Sequence, residues 1–199
     1  MTRDRPHRSG LRVIAWVYPY LRDLPTDVAL TVAAARYTAP SGDRPDGLAA
    51  DVEEDTAEEA AQAYGQAAQA YGQVVRDALG PDEPMVIVTA PPQADAGQAF
   101  PFATAALTWD AIAPMDYWHA QQRAYSAAEV YAYVRVSVAE IRARTRADMP
   151  VVMIGQMFSL YAGTSASRSR RGEDLRGGCG AGVGRGGAEL LRVGARDSQ

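Results

Sequence analysis

Residues 46–55 read Asp46-Gly47-Leu48-Ala49-Ala50-Asp51-Val52-Glu53-Glu54-Asp55, or DGLAADVEED. A short apolar run (Leu48, Ala49, Ala50, Val52) ends in acids, with Asp51 and Glu53 two positions apart. In an extended strand, residues two apart point to the same side, so both carboxyl groups are expected to face one way. Barrels of parallel strands do their chemistry at the carboxyl ends of the strands. The stretch therefore predicts a barrel wall with Asp51 and Glu53 on its rim. Their competing place is the start of the next helix, whose positive N-terminus favours acids.

Outward from this stretch, strands and helices alternate. Leu11–Tyr18 (LRVIAWVY) is β-branched and aromatic and stops at Pro19, as a buried strand does. Pro25 and Asp27 open a helix to about Arg36. Thr56 and Glu59 have capping-box spacing and start a long helix to about Leu79. Strands are expected at Met85–Thr89 (MVIVT), Ala111–Tyr117 (AIAPMDY) and Val151–Gly155 (VVMIG). A short helical piece lies near Phe102–Leu107, and an amphipathic helix capped by Ser126 runs to Arg146. This alternation implies right-handed βαβ units and a parallel sheet. The fold class is α/β, and the structural rival is a doubly wound open sheet. No GxGxxG or GxxxxGK[ST] loop supports nucleotide binding.

A formal charge of -4 and 47% hydrophobic residues over 199 positions suit a globular domain and argue against a nucleic-acid binder. The single cysteine, Cys179, excludes an intrachain disulfide. No apolar run approaches the roughly 18 residues of a membrane helix. MTRDRPHRSG lacks the apolar core of a secretion signal, so the sequence as written predicts a cytoplasmic location. His7 and His119 are the only histidines, with no HxxxH or CxxC spacing, and the expectation is no metal and no cofactor.

Two segments look like accidents of the gene. The heptapeptide AAQAYGQ occurs in tandem at Ala60–Gln66 and Ala67–Gln73. Seven residues are nearly two helical turns, so the duplication lengthens a helix and turns its faces by only about 20°. Gly65 and Gly72 are expected to weaken that helix. From Ser165 onward there are nine glycines and seven arginines with no helical or strand period. Residues 162–199 are therefore read as a disordered or frameshifted tail, in preference to an Arg/Gly-rich nucleic-acid arm. One codon string for Glu189–Gln199, shifted by one base, encodes SFFEWGPATP, the pattern of a final barrel strand.

With the strands placed, the chain resembles a piece of a glycoside-hydrolase-type (β/α)8 barrel. It is most similar to actinobacterial hydrolase-like relatives of chitinase-type and lysozyme-type barrels. The resemblance rests on RVIAWVYP at Arg12–Pro19, DGLAADVE at Asp46–Glu53, APMDYW at Ala113–Trp118 and PVVMIGQ at Pro150–Gln156. It covers about residues 8–161 and implies a partial TIM barrel, roughly its third to seventh strands. In chitinase-type barrels the fourth strand carries D-x-D-x-E; here those positions are Ala49, Asp51 and Glu53, so the first acid is missing. The shorter D-x-E is closer to the lysozyme-type pattern. The resemblance puts the acid/base on Glu53 and its supporting aspartate on Asp51.

The implied activity is hydrolysis of O-glycosidic bonds in a polysaccharide or cell-wall glycan. The alternative is a carbohydrate-binding barrel without catalysis. A carboxylic acid flanked by apolar walls and a second acid keeps its proton to higher pH and can give it to a leaving oxygen. Asp116 is the candidate second carboxylate, although regular alternation would turn it away from Tyr117 unless a bulge or the strand end re-aims it. Tyr117, Trp118, Trp16, Tyr18 and Gln156 are the candidate sugar contacts, although residues such as Trp16 and Tyr18 are more often core than sugar platform, and the core is the expected place for these two. A full barrel needs about 250 residues and eight strands, so the chain is expected to be an inactive fragment.

Overall fold

Five parallel strands lie side by side in chain order and curl into a half-barrel. The computed structural model describes residues 7, 9–52, 58–118, 125–155 and 189–192. Along the chain they form β1 (Ile14–Val17), α1 (Leu24–Ala35), β2 (Gly47–Asp51), α2 (Glu58–Leu79), β3 (Met85–Thr89), α3 (Asp95–Ala99), α4 (Phe102–Ala105), β4 (Ala111–Asp116), α5 (Ala127–Arg144), β5 (Val152–Gly155) and β6 (Glu189–Arg192). A doubly wound sheet reverses its strand order at a switch point. Here the order runs straight from β1 to β5, which excludes that rival.

Side-chain alternation sorts each strand into two apolar layers. Leu48, Ala50 and Val52 of the β2 segment join Met85, Ile87, Ile112, Val151 and Met153 under the helices. Ala49, Val88, Ala113, Met115 and Ile154 form a smaller cluster on the opposite, concave side, with Ile14, Val86, Tyr117 and Val152 packed against it. All of β2 and β4 is buried, as expected of strands covered on both faces. The first strand departs from the sequence expectation. It is four residues long, sits at the sheet edge with β2 as its partner, and is only half-buried.

The helices begin where their caps allow. Asp23 caps α1 by accepting the Thr26 N–H, with Pro25 in the first turn. In α5, Ser126 and Glu129 complete a capping box. The Thr56 cap proposed for α2 lies outside the described residues. The glycines of the repeat do more than weaken α2. A Cβ added at Gly72 would lie 2.7 Å from Trp109 Nε1, and one at Gly65 3.2 Å from Pro101 Cγ. Both let the helix close onto the segment before β4. The second copy also supplies Tyr71, fully buried, stacked on Trp109 and hydrogen-bonded to Thr31 Oγ1 at 2.8 Å.

Within the segment expected to lack regular structure, Glu189–Arg192 pairs antiparallel with β5. The reason lies in the sheet: a strand edge offers a row of unpaired backbone groups, and Glu-Leu-Leu-Arg is the one short apolar run in a Gly/Arg-rich stretch. The rest of 162–199 lies outside the described residues, as do the junctions on which a frameshift would be judged.

Candidate functional site

The acids of the opening stretch divide between the two ends of β2. Asp46, just before the strand, accepts the Val13 N–H at 2.6 Å and pairs with His7 Nε2 at 3.0 Å. The Val13 hydrogen bond, with help from His7, holds its carboxyl below the usual carboxylate range. This end of the sheet is stapled further by Arg76, which reaches the Thr108 and Glu83 carbonyls and the Asp110 carboxylate. Asp46 is a structural tie.

Asp51 closes β2 at the other end, in register with Val88 of β3. Alternation from Ala49 puts it on the concave side. It is 8% exposed. Trp16 Nε1 donates to its Oδ2 at 3.3 Å, and Oδ1 is buried without a hydrogen-bond partner among the described residues. Burial pushes the Asp51 carboxyl up to about 6, against the opposing pull of the Trp16 hydrogen bond. A buried acceptor left unpaired is costly when charged, so the neutral acid is favoured. Trp16, on the neighbouring strand, is 46% exposed. Tyr18 and Tyr20 follow at 45% and 65% exposure, their rings meeting edge to face at 5.2 Å. The core is therefore not the place of Trp16 and Tyr18, because β1 has a strand neighbour on one side. Tyr117 packs against the same concave cluster.

Asp116 does not join them. β4 stays regular through its last residue, with Asp116 in register with Gly155 of β5, so no bulge re-aims the side chain. It faces the helices, fully buried, and its Oδ1 accepts from Ser137 Oγ of α5 at 2.8 Å. Ser137 Oγ in turn accepts from Gln93 Nε2 at 2.9 Å. Asp116 Oδ2 has no hydrogen-bond partner among the described residues, and burial pushes this carboxyl up to about 7 against the Ser137 hydrogen bond. Trp118 is also away from Asp51. Its Cη2 lies 2.8 Å from where a Gly155 Cβ would be, so the indole covers the end of β5 on the helix side. Asp116 and Trp118 thus stand on the helix side of the sheet, and Asp51 on the concave side. Both placements have one cause, the side-chain period of two in an unbroken strand.

Glu53, Gln156 and His119 lie outside the described residues. Among the described residues, no three His, Cys, Asp or Glu side chains gather as metal ligands do, and no helix is long and apolar enough to cross a membrane. The sequence reading missed Ser137, Gln93 and Tyr20. Ser137 had a signal: it lies four residues before Ile141 on the buried stripe of α5, where an unpaired hydroxyl calls for a polar partner. No family model, curated protein or solved structure matches the chain.

Proposed function

We propose that these strands belong to a barrel hydrolase acting on O-glycosidic bonds of a glycan, with Asp51 and Glu53 as its acid pair. One observation carries the reading. A shielded carboxyl on the concave side ends a strand, has an oxygen with no hydrogen-bond partner among the described residues, and is tied to a half-exposed tryptophan. In this reading Glu53, two positions on in sequence, protonates the leaving oxygen. Asp51 ionises at about pH 6, and its negative charge then raises the proton affinity of Glu53, so the donor keeps its proton near neutrality. Asp116, on the other face, takes no part. Trp16 and Tyr18 offer flat apolar faces to sugar rings, and Tyr117 lies on the same side.

Release of reducing sugar from a glycan panel between pH 5 and 7 tests the proposal. Glu53→Gln and Asp51→Asn are each expected to lower the rate by about 10²- to 10⁴-fold, the usual worth of a positioned acid. Unchanged turnover in both variants would overturn the assignment. The exposed Trp16, Tyr18 and Tyr20 favour a second reading, glycan binding without turnover. Retention on immobilised glycan that Trp16→Ala abolishes, with no sugar released, would select it.

A further inference from the structure

The loop between β1 and α1 carries a strained residue. Leu21 has a φ of 56°, the one positive φ outside glycine among the described residues. A bulky side chain rarely enters this left-handed region, and such strain persists only where the surroundings over-determine it. Asp27 supplies that constraint: its Oδ2 accepts the Leu21 N–H at 2.8 Å, and its Oδ1 the Tyr20 N–H at 3.4 Å. We propose that Asp27 is a positioning residue, which fixes this loop so that Tyr20 serves as an outer sugar platform for an oligosaccharide long enough to reach past Trp16.

Helix α1 does not need Asp27 for its own start, because Asp23 already caps it by accepting the Thr26 N–H. Asp27 is buried, and a carboxylate is costly to bury unless its oxygens are paired. Both oxygens are given to the loop. The Asp27 backbone is anchored in turn. Thr31 Oγ1 donates to the Asp27 carbonyl at 2.7 Å and is hydrogen-bonded to buried Tyr71 of α2 at 2.8 Å. The Leu21 side chain packs against the core under the helices, and Pro19 is buried. The chain is thus pinned on both sides of Tyr20.

What is pinned is a ring that stands mostly in solvent. Trp16 is in register with Ala49 of the concave cluster, so it looks onto that side of the sheet. Tyr20 follows four residues later, beyond the carboxyl end of β1. Loops at that end of parallel strands carry the binding groups of barrels. A mobile loop must be ordered when a ligand arrives, which weakens binding; a loop already held avoids that loss. Tyr20 lies farther along the chain than the hydrogen bond between Trp16 and Asp51. A sugar that covers only Trp16 gains nothing from it, and a longer chain gains a second apolar face.

This assignment rests on the glycan reading above, and its test separates the two. Disaccharides and hexasaccharides from chitin, cellulose and xylan are titrated into the full chain by calorimetry, and the best-bound series is followed through variants. Tyr20→Ala and Asp27→Asn are each expected to weaken the hexasaccharide about fivefold, as the ordering cost returns, and to leave the disaccharide unchanged. Asp27→Asn keeps the volume but offers one acceptor oxygen in place of two. In a Tyr20→Ala background it should add no further loss, because Asp27 acts through that ring. Tyr37→Ala, an exposed ring past the other end of α1, should change neither length. Equal losses on both lengths mark ordinary destabilisation and overturn the proposal, as do additive losses or full affinity in both variants. If Trp16→Ala still weakens both lengths, the glycan reading survives that failure; if no oligomer binds the wild type, the reading fails and the proposal with it. Hydrogen exchange checks the loop without any variant: the Leu21 amide should exchange at least about tenfold slower than an unprotected one, and exchange at the unprotected rate overturns the role of Asp27.

Discussion

Asp51 and Asp116 are the same residue type at the carboxyl ends of two strands in one sheet, and each is buried with an oxygen that has no hydrogen-bond partner among the described residues. Burial raises both carboxyls, to about 6 and about 7. They differ in which way they face. Asp51 looks onto the concave side beside a half-exposed tryptophan; Asp116 looks into the helix layer at a serine. A raised carboxyl alone therefore does not mark a reaction site. The two are separated by the face each looks onto, which follows from the parity of the residue along its strand.

The sharpest way to break this comparison is activity. On the proposed function, Asp51→Asn lowers glycan hydrolysis about 10²- to 10⁴-fold, whereas Asp116→Asn changes it by less than about threefold. Steady-state rates on one soluble glycan measure both, and equal losses would erase the distinction. Stability should show the opposite emphasis. A carboxyl whose folded pKa lies above its unfolded value stabilises the fold fully below about pH 3.8, and that stability is lost as pH rises to the folded pKa. For Asp116 the window runs from 3.8 to about 7, worth on the order of 4 kcal/mol at 1.36 kcal/mol per pH unit. Asp116→Asn is therefore expected to unfold with much less dependence on pH and to exceed the wild type at pH 8 by a few kcal/mol, as read from urea midpoints at both ends of the window. Asp51→Asn should show the same sign over the narrower window from 3.8 to about 6.

Smaller effects sharpen the two surroundings. Gly155→Ala would bring a Cβ to 2.8 Å from the Trp118 ring. Overpacking of this kind costs about 1–3 kcal/mol, measurable as a lower thermal midpoint, with Asp51 chemistry left intact. Trp16→Phe keeps an aromatic ring and removes the indole donor. Since that donor pulls the Asp51 pKa down, its loss should move the titration of Asp51 above about 6. A carboxyl-carbon NMR titration reads the shift, and a lower value would show that Trp16 does not act through its N–H.

Much of this was legible in the residues. The strand and helix alternation, the Ser126 cap and the buried β2 run follow from local spacing and composition. The parity of Asp116 against Tyr117 follows from alternation too, and β4 stays in register through Asp116 with no bulge to change it. The exposure of Trp16 was not legible, because a β-branched aromatic strand looks the same at an edge as in a sheet centre. Burial there depends on the number of strand neighbours. The close approach of Gly72 to Trp109 was equally hidden, since helix propensity records the weakness of glycine and not the side chain it admits.

Sequence by itself determined the class of element at each position and which residues share a strand face, because backbone preference and a period of two act over a few neighbouring residues. Only the tertiary structure decided that the strands run in unbroken order and curl, and that one aspartate meets tryptophan while the other meets serine. Those outcomes depend on contacts between segments far apart in the chain, where packing and the loss of water act on the whole sheet at once.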